Sequence, residues 1–287
     1  MLLAIDIGNT NTVIGLFDGE RLIDHFRAAS VHSLTIDECG FFVSGLLDRS
    51  KFSPDKVTQV VIASVVPRLT PVYEGMARKY FEQEPLTVSS RLNLPIKIGY
   101  LDPTAVGADR IANAVAGFVR FGGPLIIVDY GTATAFDVIT AEGVYLGGVI
   151  APGPETSGGE LARRAARLFE VRIEKPSRVI GRTTAESIKS GLFYGTVGQV
   201  DLIIQLIIEE LMAPARVIAT GGLATDFAAE SKFIEATYPT LTLDENCALP
   251  VADHLDDRAH CYLWVPNALL PEGLAVLKAW GLDYKSN

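Results

Sequence analysis

The chain of 287 residues has a mass of 30.9 kDa and is 48% hydrophobic and 21% charged, which fits one large or two modest globular domains and argues against disorder. Its 25 basic and 34 acidic residues leave a formal net charge of −9, which disfavours nonspecific binding to nucleic acid or to anionic membranes.

The cysteines and the first residues bear on the compartment. Cys39, Cys247 and Cys261 form no CxxC pair, and an odd number of cysteines is a poor disulfide framework, so we expect a reducing, cytoplasmic environment. The apolar first residues carry no basic segment before Asp6, and are predicted to form a buried strand rather than a signal peptide. The apolar stretch 200–212 is interrupted by charges and is predicted to be a core-facing helix rather than a membrane span.

Apolar runs with turn residues between them predict a chain of mixed strands and helices. The strands are predicted near 2–7, 12–17, 21–27, 59–64, 125–129, 134–140, 144–150 and 215–220. The helices are predicted near 35–48, 70–83, 107–119, 156–168, 183–211 and 269–280. This order indicates the α/β class, and the glycines and proline of 118–124 predict a junction between domains 1–118 and 119–287.

Two stretches of the chain repeat one pattern, LLAIDIGNTNTVIGLFDGERL near the start and LIIVDYGTATAFDVITAEGVYL near the middle. Each ends a strand in aspartate (Asp6, Asp129), places glycine two residues later (Gly8, Gly131) and continues with small hydroxyl or amide residues. Glycine permits a tight turn, small side chains let a phosphate approach the backbone, and an aspartate there can hold a cation or its water shell. The pattern predicts two phosphate loops; the alternative is a pair of ordinary hairpins.

Between the two loops, GADRIANAVAGF predicts a helix with Asp109 and Arg110 at its start. The positive end of a helix favours an ionised carboxylate, and an ionised carboxylate can accept a hydroxyl proton. Arg110 beside it would bind a carboxylate or a phosphate. The alternative is an ordinary acidic helix start followed by a solvated arginine.

Four motifs in order, DIGNTNT at 6–12, GADR at 107–110, DYGTATAFD at 129–137 and ATGG at 219–222, together resemble the type III pantothenate kinases of the actin, hexokinase and Hsp70 superfamily. The resemblance implies two duplicated actin/ribonuclease-H-like α/β domains, each a mixed sheet flanked by helices, with the active site in the cleft between them. The N-terminal domain would hold the first phosphate loop, and the C-terminal domain the second loop and an adenosine motif.

The resemblance also implies a reaction, which is transfer of the ATP γ-phosphoryl group to the primary hydroxyl of pantothenate in the first step of coenzyme A biosynthesis. The expected cofactors are Mg²⁺ with ATP and a monovalent cation, K⁺ or NH₄⁺, and the expected assembly is a homodimer without nucleic-acid or membrane partners. One alternative is a superfamily kinase with another hydroxyl substrate. Another is a non-catalytic, nucleotide-binding regulatory homologue.

The resemblance assigns roles to individual residues. ATP would contact Asp6, Ile7, Gly8, Asn9, Thr10, Asn11, Thr12, Val13, Thr132, Gly221 and Gly222. Pantothenate would contact Tyr100, Gly107, Ala108, Asp109, Arg110 and, from the facing subunit, Thr184. Asp109 would accept the hydroxyl proton, Asp129 would bind the monovalent cation, and Asp6 would hold Mg²⁺ through water. A helix cap at 183–186, a plain turn at 221–222 and a core wall at Tyr100 remain alternatives for those positions.

The chain departs from the family pattern at three places. Tyr130 stands where phenylalanine is expected, which keeps the ring. Gly158 and Gly159 are expected to loosen the start of their helix. The segment 238–262 looks like an insertion; it carries two cysteines and two histidines, but its ligand order has no CxxC arm and we do not predict zinc there.

Overall fold

The structure is a computed structural model that describes residues 1–19, 21–50, 52–165 and 167–237. The predicted helix 269–280 and the apparent insertion 238–262, with its cysteines and histidines, lie outside the described residues. The described chain falls into two compact units, Met1–Leu92 with Gly107–Ala112, and Asn93–Val106 with the residues from Asn113 onward. Because neither unit is one continuous stretch, the limits 1–118 and 119–287 stay a prediction.

The first unit is built on a five-stranded sheet of order β3-β2-β1-β4-β5. Its strands are β1 (Leu2–Ile7), β2 (Asn11–Asp18), β3 (Arg21–Ala29), β4 (Gln59–Ser64) and β5 (Leu86–Thr87). Strand β2 is antiparallel to both β1 and β3, and β4 runs parallel to β1 on its other side.

Two helices, α1 (Ile36–Arg49) and α2 (Thr70–Phe81), complete the core of the first unit. The first residues form strand β1 as predicted, and its side chains alternate, because Leu3, Ile5 and Ile7 are buried while Asp6 between them is exposed. The buried side chains pack with Cys39, Val43 and Leu47 of α1 and with Tyr73, Met76 and Ala77 of α2.

The second unit is built on a six-stranded sheet of order β11-β10-β7-β8-β9-β6. Its strands are β6 (Lys97–Ile98), β7 (Leu125–Tyr130), β8 (Ala133–Ile139), β9 (Val144–Pro152), β10 (Arg216–Gly221) and β11 (Ala236–Thr237). Its helices are α4 (Pro154–Arg164), α5 (Thr184–Leu211) and α6 (Ala224–Ala228), and α3 (Ala108–Phe121) is shared, since its first residues group with the first unit.

The order 3-2-1-4-5 of the first sheet recurs in the second as 9-8-7-10-11, with β6 added beside β9. Antiparallel pairing of β7 with β8 and parallel pairing of β7 with β10 match the pairings of β1. The sequence repeat is therefore a repeat of the fold, and the predicted pair of mixed sheets flanked by helices is confirmed.

An aromatic stack closes the core of the second unit. Phe227 of α6 stacks against Tyr130 of β7, with ring centroids 5.1 Å apart, and against Phe193 of α5 at 5.0 Å. Val200 and Ile204, further along α5, join the same core. These contacts fix the end of β7, where the second predicted phosphate loop begins.

Only one face of α5 packs on this core. Leu202 and Leu206 are 56% and 53% exposed, whereas Val200 and Ile204 are fully buried. The helix has 28 residues and is long and apolar enough to cross a membrane, a weak indication because core helices of soluble proteins have the same composition. The predicted core-facing helix is therefore correct for one side of α5.

Candidate active site

The first predicted phosphate loop, 8–12, contains the turn that joins β1 to β2. The Gly8 N–H donates to the Asn11 carbonyl at 3.0 Å, which closes the turn. Ile7 and Thr12 face each other across its base and are both buried, whereas Asp6, Asn9 and Thr10 are exposed. The loop therefore presents its polar tip to solvent on a buried base.

Ser30, the residue that follows β3, holds this loop from beside it. Its N–H donates to the Thr10 carbonyl at 3.0 Å, and its hydroxyl donates to the Gly8 carbonyl at 2.6 Å. The hydroxyl groups of Thr12 and Ser30 also share a hydrogen bond of 2.9 Å. Sequence reasoning missed Ser30, because its relation to the loop depends on the pairing of β2 with β3.

The second predicted phosphate loop, 131–134, contains the turn that joins β7 to β8, which is one residue shorter than the first turn and is also closed by a glycine N–H. The Gly131 N–H donates to the Ala133 carbonyl at 3.0 Å. The Thr132 carbonyl accepts from the Gly153 N–H at 3.1 Å and from the Thr156 hydroxyl at 2.6 Å. A Cβ atom at Gly153 would lie 2.3 Å from the Gly131 carbonyl oxygen, so only glycine fits between this loop and the start of α4.

Asp129, the predicted cation ligand, lies at the end of β7 and is half-buried. The side-chain amide of Asn113, on α3, donates to its Oδ2 at 3.0 Å. Gly221 of β10 has φ +94, and a Cβ atom there would lie 2.6 Å from Asp129 Oδ1. The structure thus brings together Asp129 and the first glycine of the predicted adenosine motif, and it adds Asn113, which sequence reasoning missed.

Asp109 and Arg110 lie in the first turn of α3, as predicted, and both are half-buried. Asp109 Oδ1 accepts a hydrogen bond from the Arg110 N–H at 2.7 Å. Gly107 precedes them, and a Cβ atom there would lie 2.5 Å from Asp109 Oδ1. Glycine at 107 therefore leaves room for the Asp109 carboxylate, while the buried Ala108 anchors the turn.

Tyr100 is 39% exposed, so it is not a buried wall of the core. Its ring lies 6.5 Å from the ring of Tyr145 and packs over the backbone of Gly147. Gly147 has φ +126, a conformation that favours glycine, and a Cβ atom there would lie 3.0 Å from the Tyr100 ring. The half-exposed face of Tyr100 is therefore available to a ligand.

At the start of α5, the structure shows which residue caps the helix and which one is exposed. The Thr183 hydroxyl caps the helix by accepting from the Glu186 N–H at 3.2 Å. The next residue, Thr184, is the first of the helix and is exposed. The cap interpretation therefore applies to Thr183 and leaves the Thr184 side chain on the surface.

Tyr130 has a hydroxyl group that the expected phenylalanine lacks. That hydroxyl is buried, and it has no hydrogen-bond partner among the described residues. Burial, and then the negative charge of Asp201, raise the pKa of Tyr130 above its ordinary range. The hydroxyl therefore stays protonated, and the ring keeps the packing expected of phenylalanine.

Mg²⁺ and K⁺ bind oxygen ligands, including carboxylates, and Asp6 and Asp129 each supply one carboxylate. Within the described ranges no cluster of three or more His, Cys, Asp or Glu side chains is placed to hold a metal ion. Single carboxylates beside loops fit cations whose other ligands are phosphate oxygens and water.

Solved structures with this arrangement define the class of the fold. A Campylobacter jejuni protein named for the Baf family of transcriptional activators has a TM-score of 0.50 and 21% identity, covering 83% of this chain and 92% of that one. A Sinorhizobium meliloti protein named for 2-dehydro-3-deoxygalactonokinase has a TM-score of 0.50 and 12% identity, covering 82% and 90%. At these identities the likeness shows the fold alone, which is the actin- and hexokinase-like one.

The family follows from closer relatives. The family model for type III pantothenate kinases matches residues 2–206. Type III pantothenate kinases of Anaeromyxobacter dehalogenans and Geobacter sulfurreducens are each 46% identical over 244 residues, covering 85% of this chain and 96% of the relative. That of Myxococcus xanthus is 45% identical and is covered to 95%. The chain belongs to the type III pantothenate kinase family.

Proposed function

We propose that this chain transfers the γ-phosphoryl group of ATP to the primary hydroxyl group of pantothenate, giving 4′-phosphopantothenate and ADP in the first step of coenzyme A biosynthesis. The observation that carries the proposal is the family match over 2–206, which includes both phosphate loops and the GADR turn of α3. An ATP-dependent kinase follows from the family; the roles of single residues below are our proposal.

The two phosphate loops would bind the triphosphate of ATP. Each is a tight turn closed by a glycine N–H, and each is held through its carbonyl groups by neighbouring residues. Asp6, exposed beside the first loop, would hold Mg²⁺ through water. When bound, Mg²⁺ neutralises charge on the β- and γ-phosphates. Gly221 and Gly222 would let the adenine base approach the backbone.

Asp109 and Arg110 would act on pantothenate. The pantothenate hydroxyl oxygen attacks the γ-phosphorus, the bond to the bridging oxygen breaks, and the hydroxyl proton passes to Asp109. Asp109 lies half-buried in the first turn of α3, next to Arg110. Arg110 would hold the pantothenate carboxylate, and Tyr100 and Thr184 would line the same substrate.

Asp129 would bind the monovalent cation, K⁺ or NH₄⁺. Its carboxylate is oriented by the Asn113 amide on one oxygen and by the close approach of Gly221 on the other. A carboxylate with a fixed orientation loses less entropy when it binds an ion. The cation would place positive charge beside the transferring phosphoryl group.

We also propose a cytoplasmic homodimer. The surface of α5 supports the assembly, because Leu202, Leu206 and Met212 are more than half exposed, and apolar surface of this kind is common at subunit interfaces. Thr184 at the exposed start of the same helix would then face the pantothenate of the other subunit.

The experiment that tests the function is a coupled ADP-release assay with ATP, Mg²⁺, K⁺ and pantothenate, omitting one component at a time. We expect turnover only with ATP, Mg²⁺ and pantothenate together, and a marked loss when Na⁺ replaces K⁺. ATP binding without pantothenate-dependent ADP release would instead indicate the non-catalytic homologue. ADP release with a different alcohol, and none with pantothenate, would indicate another kinase of the superfamily.

A further inference from the structure

Each phosphate loop is tied down by a hydroxyl group that lies outside the family motifs. Ser30 directly follows β3, and Gly153 directly follows β9, so the two residues occupy equivalent places in the two repeats. The N–H of each donates to a loop carbonyl, that of Thr10 at 3.0 Å and that of Thr132 at 3.1 Å. This backbone contact is therefore a shared part of the repeated fold.

The hydroxyl contact is made differently in the two repeats. In the first, the Ser30 hydroxyl itself donates to the Gly8 carbonyl at 2.6 Å. In the second, glycine stands at 153, and the hydroxyl comes from Thr156 in the first turn of α4, which donates to the Thr132 carbonyl at 2.6 Å. Both loops thus receive a hydroxyl donor on a carbonyl oxygen.

The direction of loop carbonyl groups matters for a phosphate site. Phosphates bind to backbone N–H groups, and a carbonyl oxygen facing the anion repels it. In the first loop the Ser30 N–H holds the Thr10 carbonyl and the Ser30 hydroxyl holds the Gly8 carbonyl, whereas in the second loop the Thr132 carbonyl accepts both donors. A carbonyl held by a hydrogen bond is restricted in direction, because turning it away costs that bond. When the carbonyl groups are held on the side away from the phosphate, the N–H groups of the loop tip can face the phosphate.

We propose that Ser30 and Thr156 are positioning residues, which hold the carbonyl groups of the two loops away from the triphosphate and so determine the affinity for ATP. Neither is proposed to touch the nucleotide. The inference rests on the proposed function, since it names residues that support the same ATP site.

The experiment measures ATP affinity by calorimetry, and the KM values for ATP and pantothenate, in the full chain with Ser30→Ala and Thr156→Ala. Matched controls are Ser190→Ala and Thr196→Ala, whose hydroxyl groups also donate to backbone carbonyls at 2.6 Å but lie within α5. Ser30→Thr and Thr156→Ser keep the hydroxyl, and thermal unfolding of every variant shows whether it folds.

We expect Ser30→Ala and Thr156→Ala each to raise the Kd and KM for ATP about five- to tenfold, the effect of losing the hydroxyl bond to the loop carbonyl, with the KM for pantothenate changed less than twofold. The controls should lose thermal stability to a similar degree and keep their ATP affinity. The hydroxyl-retaining variants should restore affinity to within about twofold of the wild type.

The outcomes distinguish failure of the proposed function from failure of the positioning role. If the wild-type chain binds no ATP, the proposed function fails and this inference fails with it. If the wild type binds ATP and the alanine variants bind it equally well, or if the controls lose as much affinity as the loop variants, only the positioning role is overturned. If an alanine variant does not fold, the corresponding hydroxyl-retaining variant, Ser30→Thr or Thr156→Ser, decides the question. Wild-type ATP affinity in that variant supports the positioning role, and a tenfold loss of affinity contradicts it.

Discussion

Single side chains that the sequence singled out lie where strands end and helices begin. Asp6 and Asp129 were predictable because a strand pattern ends at each, and Asp109 because a helical pattern starts beside it. Asn113 and Ser30 were not, because their importance lies in contacts with Asp129 and Gly8 that join distant parts of the chain. Local pattern finds the residues of a turn, whereas only tertiary pairing shows what orients them.

Replacing Asp109 by asparagine should lower kcat at least about a hundredfold, the low end for loss of a positioned general base. The amide keeps the size of the side chain but cannot accept the hydroxyl proton. Steady-state kinetics with saturating ATP and pantothenate measure the effect. Asp37→Asn is the matched control, since Asp37 also lies in the first turn of a helix, α1, and is paired with Lys79 rather than with a predicted site residue. Near-normal turnover of Asp109→Asn would rule out the proton-acceptor role.

Replacing Asn113 by alanine should raise the K⁺ concentration needed for half-maximal activity about three- to tenfold, because the Asp129 carboxylate loses its hydrogen bond and its fixed orientation. Turnover at saturating K⁺ should recover much of the wild-type value. Activity titrated against K⁺ measures both quantities. Gln205→Ala removes a comparable amide donor, which bonds Glu209 at 2.9 Å on the surface of α5, and should leave the K⁺ response unchanged. A K⁺ response that is the same in Asn113→Ala and in the wild type contradicts the role.

Among the secondary-structure elements, length separates those that sequence predicts from those that it does not. The long strands and α1, α2, α3 and α5 agree with their patterns to within about three residues at each end. The two-residue strands β5, β6 and β11 and the five-residue α6 are too short to show a period. Helix α4 starts at Pro154 and ends at Arg164, earlier than predicted, and Gly158 and Gly159 lie inside it.

The turn between β9 and α4 accepts only glycine, which gives a prediction for Gly153→Ala. A Cβ atom there would lie 2.3 Å and 2.7 Å from the carbonyl oxygens of Gly131 and Thr132, and backbone atoms cannot move as a side chain can. We expect a loss of about 1–3 kcal/mol in the free energy of unfolding, as in overpacked sites, measured by urea denaturation.

Gly45→Ala is the contrasting variant for that experiment. Gly45 lies within α1 with nothing within 4 Å of an added Cβ atom, so alanine there should stabilise the chain by about 0.5–1 kcal/mol. Equal effects of the two substitutions on the free energy of unfolding would contradict the close packing described for Gly153 at the end of β9.

Cys39 on α1 gives a dependence of stability on pH. Burial raises the pKa of the Cys39 thiol from 9.0 to about 12, despite a hydrogen bond with Tyr73 that lowers it. Below about pH 9 the thiol is protonated in both the folded and the unfolded chain. Between about pH 9 and 12 only the unfolded chain releases the proton, so the free energy of unfolding falls as the pH rises.

At pH 10.5 the Cys39 contribution should amount to a loss of about 2 kcal/mol relative to pH 8. Urea denaturation at the two pH values under reducing conditions measures the fall, and the fall in Cys39→Ala should be smaller by about that amount. Equal falls in the wild type and in Cys39→Ala would place the Cys39 pKa near its ordinary value.

For the molecule as a whole, the repeat in the sequence correctly predicts the repeat in the fold. The offset of Asp6-Gly8 to Asp129-Gly131 identifies the first two strands of each sheet, and the glycines at 221–222 the end of the strand beside β7. Strand order was not predictable in the same way, because it depends on which edges pair. Strand β6, which pairs with β9, has only two residues, Lys97 and Ile98, and is too short to be predicted from a sequence pattern.

The proposed homodimer can be tested directly. We expect the particle in solution to have twice the mass of the chain, measured by light scattering after gel filtration. Leu206→Glu should give a monomer with reduced pantothenate turnover, because it places a charge on the exposed apolar surface of α5 that is proposed to form the subunit interface. Val119→Glu, at a more exposed apolar position on α3, is the control and should stay dimeric. A monomeric wild type, or a dimeric Leu206→Glu variant, contradicts the proposed interface.

The glycine at 153 marks a difference between the two repeats. At the base of the first loop the Thr12 hydroxyl bonds that of Ser30, but the equivalent buried hydroxyl of Thr134 has no partner among the described residues, and glycine stands at the position that corresponds to Ser30. In the second repeat the hydroxyl donor to the loop comes from Thr156 of the following helix. A chimera that exchanged 2–30 for 125–153 would carry the glycine without Thr156, so the two halves, although alike in outline, are not interchangeable.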